Sequence, residues 1–244
     1  MDKVPTDEVL GHDGSMGGEW NDVNGVEVGS FDRYRSVGLL ANPFSASGSD
    51  DPHEPATGPW FVDRGLAPPP PPGSGVMVQV IGEQGMGKST HLAEWRRLQP
   101  GPLHYIPRRP YRDRWRPPPI GTLVYGDEID RLPIPLRRRW FQQLGLVGAT
   151  LVVGTHRDLS GIARRSGLKV HTHRLRPVSA SELMTVLDSR LRAAADVPGR
   201  MPSVTFTQHD IDVIHAESRG NLRAADSIAH RILAERVSQE ADRV

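Results

Sequence analysis

From residue 76 onward the chain alternates two kinds of apolar pattern. Short runs, the most apolar of them at 76–81, predict strands over 76–81, 103–106, 123–126, 149–154 and 169–175. Between them, apolar positions recur at helical spacing over 88–98, 136–144 and 159–165. This alternation predicts an α/β fold, a parallel, doubly wound sheet with helices on both faces. After Pro177 no comparable strand run occurs, and the spacing predicts three helices over 179–195, 208–218 and 221–237. A small all-helical subdomain is therefore expected to follow the sheet. No segment of about 20–50 residues repeats, which excludes a solenoid or propeller.

Residues 1–36 show neither period and are rich in Gly, Asp, Asn and Ser, a composition that buries too little apolar surface to offset the entropy of ordering. Two apolar islands follow, 37–44 (VGLLANPF) and 60–62 (WFV), each expected to dock on the body. The proline run 68–72 with the adjoining Gly73-Ser74-Gly75 reads as a stiff, extended linker. The expected organisation is thus 1–75 as disordered arm, docking islands and linker, 76–177 as the sheet-bearing core, and 178–244 as the helical part.

Charge divides the chain the same way. Residues 1–65 hold 4 Lys/Arg against 12 Asp/Glu, and the remainder holds 26 against 17, so an acidic arm precedes a basic body. The absence of cysteine excludes a disulfide scaffold, a thiolate metal site and a cysteine nucleophile. No apolar run approaches the roughly 20 residues of a membrane span, and the N-terminus lacks the basic-then-apolar order of a secretion signal. A cytoplasmic protein is expected.

The strongest chemical signal is Gly82-Glu83-Gln84-Gly85-Met86-Gly87-Lys88-Ser89-Thr90, a full GxxxxGK[ST] match between a predicted strand and a predicted helix. Glycines there let backbone N–H groups wrap a phosphate, and the helix N-terminus adds its positive dipole end. Lys88 reaches the outer phosphates and the Ser89 hydroxyl is placed to ligate Mg2+. The chain uses 27 Arg but three Lys, at 3, 88 and 169, so the one lysine in this motif stands where a compact ammonium is needed.

A second segment, Leu123-Val124-Tyr125-Gly126-Asp127-Glu128-Ile129-Asp130, is a strand ending in carboxylates and resembles a Walker B segment. Asp127 is the candidate for holding Mg2+ and Glu128 for activating a water. Gly126 departs from the pattern, which usually has an apolar residue there. A third strand ends in Thr155, expected beside the carboxylates, where its hydroxyl is a candidate contact for a γ-phosphate or the water; the alternative is that Thr155 only starts a turn.

Taken in order, these segments resemble those of AAA+ ATPases, over about residues 76–238. The resemblance implies a P-loop αβα core with an all-helical lid, ATP and Mg2+ as ligands, hydrolysis of ATP, and action as an oligomeric helper or remodelling factor. It implies that Thr155 is the sensor 1 residue. It also implies that Arg164 or Arg165 reaches a neighbouring subunit's site, and that Arg223, in Gly220-Asn221-Leu222-Arg223-Ala224-Ala225, is the lid's sensor 2 arginine. A solvated helix face is the competing reading of Arg164 and Arg165. The Asn42-Pro43-Phe44 island resembles the entry segment of secretion-type and transposition-helper AAA+ ATPases. Only 38 residues lie between Lys88 and Asp127, so a trimmed fold is expected.

Residues 96–139 carry eleven Arg against four acids, with Tyr105, Tyr111, Trp115 and Trp140 interleaved. Such a mixture suits a phosphate backbone and unstacked bases, making nucleic acid a candidate partner beside protein; an Arg-rich solvated surface over core aromatics is the plainer alternative. His156, His171 and His173 have no ligand spacing, so no metal other than Mg2+ is expected. Thr155-His156-Arg157-Asp158 resembles a guanine-reading motif, but Asp127 lacks the glycine of DxxG. A P-loop kinase is disfavoured by the C-terminal helices. The alternative to a working ATPase is a nucleotide-gated binding module that hydrolyses little or nothing.

Overall fold

The computed structural model describes residues 29–44, 61–107 and 120–241. Five strands, β1 (Val76–Ile81), β2 (Leu103–Tyr105), β3 (Leu123–Asp127), β4 (Thr150–Thr155) and β5 (Lys169–Arg174), form one sheet in the order β2-β3-β4-β1-β5. Every neighbouring pair is parallel. The central strands β1, β3 and β4 are buried throughout, as their continuous apolar runs require of strands covered on both faces.

The two-residue period of a strand decides what each face packs against. Val76, Val78 and Val80 of β1, Val152 of β4, and Leu123 and Tyr125 of β3 join Leu92 and Trp95 of α2 (Lys88–Leu98) in one core. Met77, Leu151, Val153 and Val124 point the other way. There they meet Trp140, Phe141 and Leu144 of α3 (Ile134–Leu146) and Ala163 of α4 (Ser160–Arg165). The result is a three-layer αβα sandwich. Gln79, fully buried in β1, is satisfied by donating to Asp158, Ser160 and Thr172 and accepting from the Leu159 N–H.

A third core belongs to α5 (Ala180–Ala193), α6 (Gln208–Ser218) and α7 (Leu222–Ala241). Capping boxes start two of these helices: Ser179 with Glu182, and Thr207 with Asp210. The N-terminal island lies in this core. Val37, Leu39 and Phe44 are buried among the C-terminal helices, Leu39 bridges Ala195, and Asn42 donates to the His230 carbonyl and Tyr34 hydroxyl. The helical unit thus takes part of its core from the chain that precedes the sheet.

Two expectations are altered. Residues 29–36, read as part of an aperiodic arm, form helix α1 (Gly29–Ser36), stabilised by packing against α7 rather than by its own pattern. Residues 1–28 lie outside the described residues, as does Trp60. The proline run 68–72 is fastened along the core rather than free. Proline lacks an N–H but keeps its carbonyl, and here the Pro69 carbonyl accepts from Gln99 and that of Pro71 from Thr150.

Candidate functional site

The loop joining β1 to α2 needs left-handed backbone at two places, and Gly85 (φ 82°) and Gly87 (φ 88°) supply it. The carbonyls of residues 82–87 are all engaged by donors of the protein. Those of Gly82 and Glu83 accept from Lys88 Nζ at 3.0 and 3.1 Å, and that of Gln84 accepts from Asn221 Nδ2 at 2.7 Å. The Gly85 carbonyl accepts from the Arg223 N–H, the Met86 carbonyl from Arg64, and the Gly87 carbonyl from the His91 N–H. A peptide carbonyl and the next N–H point in opposite directions, so a carbonyl held by a donor fixes where the N–H of the following residue points, and the loop leads into the N-terminus of α2. That is an anion-binding arrangement at the start of a helix.

Lys88 is 4% exposed. Burial lowers its pKa, opposed by the charges of Glu128, Asp127 and Asp130. Its ammonium lies 3.9 Å from Glu128 Oε1. At the next residue, the Ser89 hydroxyl donates to Asp127 Oδ2 at 2.5 Å. Asp127 ends β3 on the same face as Leu123 and Tyr125, the face that α2 covers, which is why the period of the strand brings it to Ser89. Its other oxygen accepts from the Glu128 N–H at 3.0 Å. That oxygen sits over Gly154, where any Cβ would collide with it.

Glu128 has φ 58°, uncommon for a residue with a side chain. Its Oε2 lies 2.8 Å from His156 Nε2 and 3.1 Å from an Arg131 guanidinium nitrogen, contacts of charge proximity rather than aligned hydrogen bonds. The carboxylate is therefore held among Lys88, Arg131 and His156. Gly126 is explained by packing. A Cβ there would stand 2.6 Å from Ile129 Cδ1 and 3.3 Å from Trp140, so the strand admits no side chain at the position where an apolar one is usual.

Thr155 is fully buried at the end of β4. Its hydroxyl, with one proton to give, lies within hydrogen-bond distance of Asp130 Oδ1 and the Arg157 carbonyl, while its own carbonyl accepts from the Gly82 N–H. It lies beside the site, then, with its hydroxyl turned toward Asp130. Asn221 and Arg223 bring the first turn of α7 onto the loop, and a Cβ at Gly85 would stand 2.8 Å from Arg223 Cβ. Arg164 and Arg165 are exposed on α4, and Thr90 lies in the first turn of α2. Beside the loop, the Phe61 ring meets His91 edge-on at 5.2 Å.

Several site residues carried no signal of their own in the sequence: Gly154, Asp130, Arg131, Asn221 as a loop contact, and Arg64. Arg64 and Asn221 act on backbone carbonyls, Gly154 by leaving space, and Asp130 and Arg131 through contacts that exist only once the chain is folded, none of which residue spacing announces. His156 drew notice in the sequence for a discounted metal site and for a resemblance to a guanine-reading motif, and not as a neighbour of Glu128. Among the described residues, no group of three or more His, Asp or Glu is placed to hold a metal ion.

Of the aromatics interleaved with arginines, Trp140 is a core residue at 1% exposure, packed against Phe141. It is not available for base stacking. Arg138 and Arg139 are exposed, and the cluster from Arg108 to Arg116, with Tyr111 and Trp115, lies outside the described residues. Among the described residues no helix is long and apolar enough to cross a membrane.

No protein-family model matches the chain, and no curated protein is similar to it. Solved structures of RuvB from Thermotoga maritima are similar in part. One, described as a Holliday junction branch migration motor, has 21% sequence identity and a TM-score of 0.46, covering 64% of this chain and 54% of that one. A variant of the same protein gives 20% identity at the same TM-score and coverage. The chain spans about half the length of these structures. What its own coordinates establish is a five-stranded parallel αβα sandwich, flanked by helices, with a phosphate-loop motif at the carboxyl end of β1 and an all-helical unit against that loop.

Proposed function

We propose that this chain is a Mg2+-dependent ATPase of the AAA+ type that works as an oligomeric helper or remodelling factor. The observation that carries the reading is the convergence, around one loop whose carbonyls are all held by protein donors, of a buried lysine, a serine–aspartate pair and a second carboxylate. The donor set fits the ligands. Ser89 and Asp127 offer adjacent hard oxygens, and magnesium at phosphate sites takes one or two protein ligands and completes its shell with phosphate and water. Mg2+ held by Ser89 and Asp127 would supply positive charge against the negative charge that develops in phosphoryl transfer.

The chain's own groups do the rest. Loop N–H groups and Lys88 bind the β- and γ-phosphates, and Glu128 accepts the proton of the attacking water. Asp130 orients Thr155 and the backbone at His156, so that Thr155 lines the side of the pocket facing the water. Arg223, on the helix that rests on the loop, reads the γ-phosphate for the lid. Arg164 or Arg165, exposed on α4, completes the site of a neighbouring copy, which makes assembly part of the activity. Exposed Arg138 and Arg139 support a nucleic-acid partner through contacts to phosphates, with a protein partner as the alternative.

A second reading, a nucleotide-gated binding module, has one observation in its favour. The Glu128 carboxylate is already occupied by Arg131 and His156. Turnover of ATP by the purified protein, with and without DNA, separates the two. The ATPase reading predicts turnover that Glu128→Gln abolishes while ATP binding persists. Binding without turnover in the unaltered protein, unchanged by DNA, favours the module.

A further inference from the structure

Three consecutive loop carbonyls, Gln84, Gly85 and Met86, are held by donors from outside the αβα core. Two donors come from the start of α7, and the third is Arg64, which belongs to the chain segment preceding the sheet. The Arg64 guanidinium makes two divergent contacts. Nη1 donates to the Met86 carbonyl at 3.2 Å, and Nη2 donates to the Arg176 carbonyl at 2.6 Å. Its Nε is buried without a hydrogen-bond partner.

Met86 lies in the phosphate loop, and Arg176 lies in the connection from β5 to α5, where the core ends and the helical unit begins. One rigid planar group therefore joins the loop, the hinge and the entering chain. Lysine, whose donors all radiate from one nitrogen, offers no pair of separate nitrogens to serve two carbonyls that belong to different segments. An arginine that left a buried Nε unpaired merely to fasten a surface segment would be poorly used, whereas fixing the Met86 carbonyl fixes the direction of the Gly87 N–H on the same peptide.

We propose that Arg64 is a positioning residue for nucleotide binding: it holds the Met86–Gly87 peptide with its N–H turned to the phosphate and ties that peptide to the hinge at Arg176. The assignment rests on the phosphate-loop reading given above. Two consequences follow. Phosphate affinity depends on a residue outside the αβα core, and nucleotide in the loop is felt at the hinge through one side chain.

The test uses the full chain with Arg64→Ala and Arg64→Lys, measuring Kd for ATP and ADP with Mg2+, steady-state KM and kcat, and hydrogen exchange of the Leu175 and Val178 amides. Loss of two charge-assisted hydrogen bonds is expected to raise Kd and KM in Arg64→Ala about tenfold, with kcat within about twofold. Arg64→Lys recovers part of the affinity. Nucleotide slows exchange at the two hinge amides in the unaltered protein and not in Arg64→Ala.

If the alanine variant fails to fold, Arg64→Lys carries the test with an expected loss of several-fold. Unaltered Kd in a folded variant overturns the assignment, as does a fall in kcat at constant KM. If the unaltered protein binds no ATP, the phosphate-loop reading fails and the assignment falls with it. If it binds and Arg64→Ala binds equally well, only the assignment fails.

Discussion

Gly154 and Gly126 leave space that other groups occupy, and each makes a sharp prediction. A methyl at 154 would push the Asp127 carboxylate off β4. Gly154→Ala is therefore expected to lower Mg2+-dependent turnover by about 100-fold, the scale of a misplacement near 1 Å, while ATP binding survives. Paired binding and turnover assays check this. Gly126→Ala presses on Ile129 and Trp140 and is expected to destabilise the fold by about 1–3 kcal/mol in urea unfolding.

Asp158 offers a pH test. Hydrogen bonds from Ser160 and Gln79, with Arg174 beside it, hold its carboxyl down from 3.8 to about 2. A depressed carboxylate pKa favours the ionised folded state, so its contribution is complete above the unfolded value and lost as pH falls through about 4 toward 2. The difference in melting temperature between the unaltered protein and Asp158→Asn is expected to shrink over that window. A constant difference would contradict this. The group is exposed, which keeps the effect small.

Among the elements, those with strong periods were legible in advance and those built on tertiary contacts were not. The central strands β1, β3 and β4 announce themselves because burial on both faces demands unbroken apolar runs. The same period places Asp127 beside Ser89 once the sheet is known. Helix α1 gave no sign, since its stability lies in Tyr34 and the following Val37 and Leu39 meeting the C-terminal helices. Nor did the fastening of the proline run, which works through carbonyls that every residue owns. Ser179→Ala removes the acceptor for the Glu182 N–H and is expected to cost about 1 kcal/mol in thermal or urea unfolding.

At the scale of the whole molecule, the helical unit and the phosphate loop are joined directly. Asn221 and Arg223 hold two loop carbonyls, so a change at the loop reaches α7 without any intermediary. The arginines of α4 face outward, consistent with a role toward a second copy, and none of the loop's contacts depends on them. The phosphate-loop motif was readable from nine consecutive residues. How the loop is kept in shape was not, because its supports come from residues 64, 221 and 223, far apart in sequence.

The most direct measurement is phosphate release from ATP by the purified chain, with Mg2+ or with the metal chelated, beside Lys88→Ala. The account predicts release that needs Mg2+ and is lost in Lys88→Ala. Equal release by the unaltered protein and Lys88→Ala, or no ATP bound by either, would contradict it.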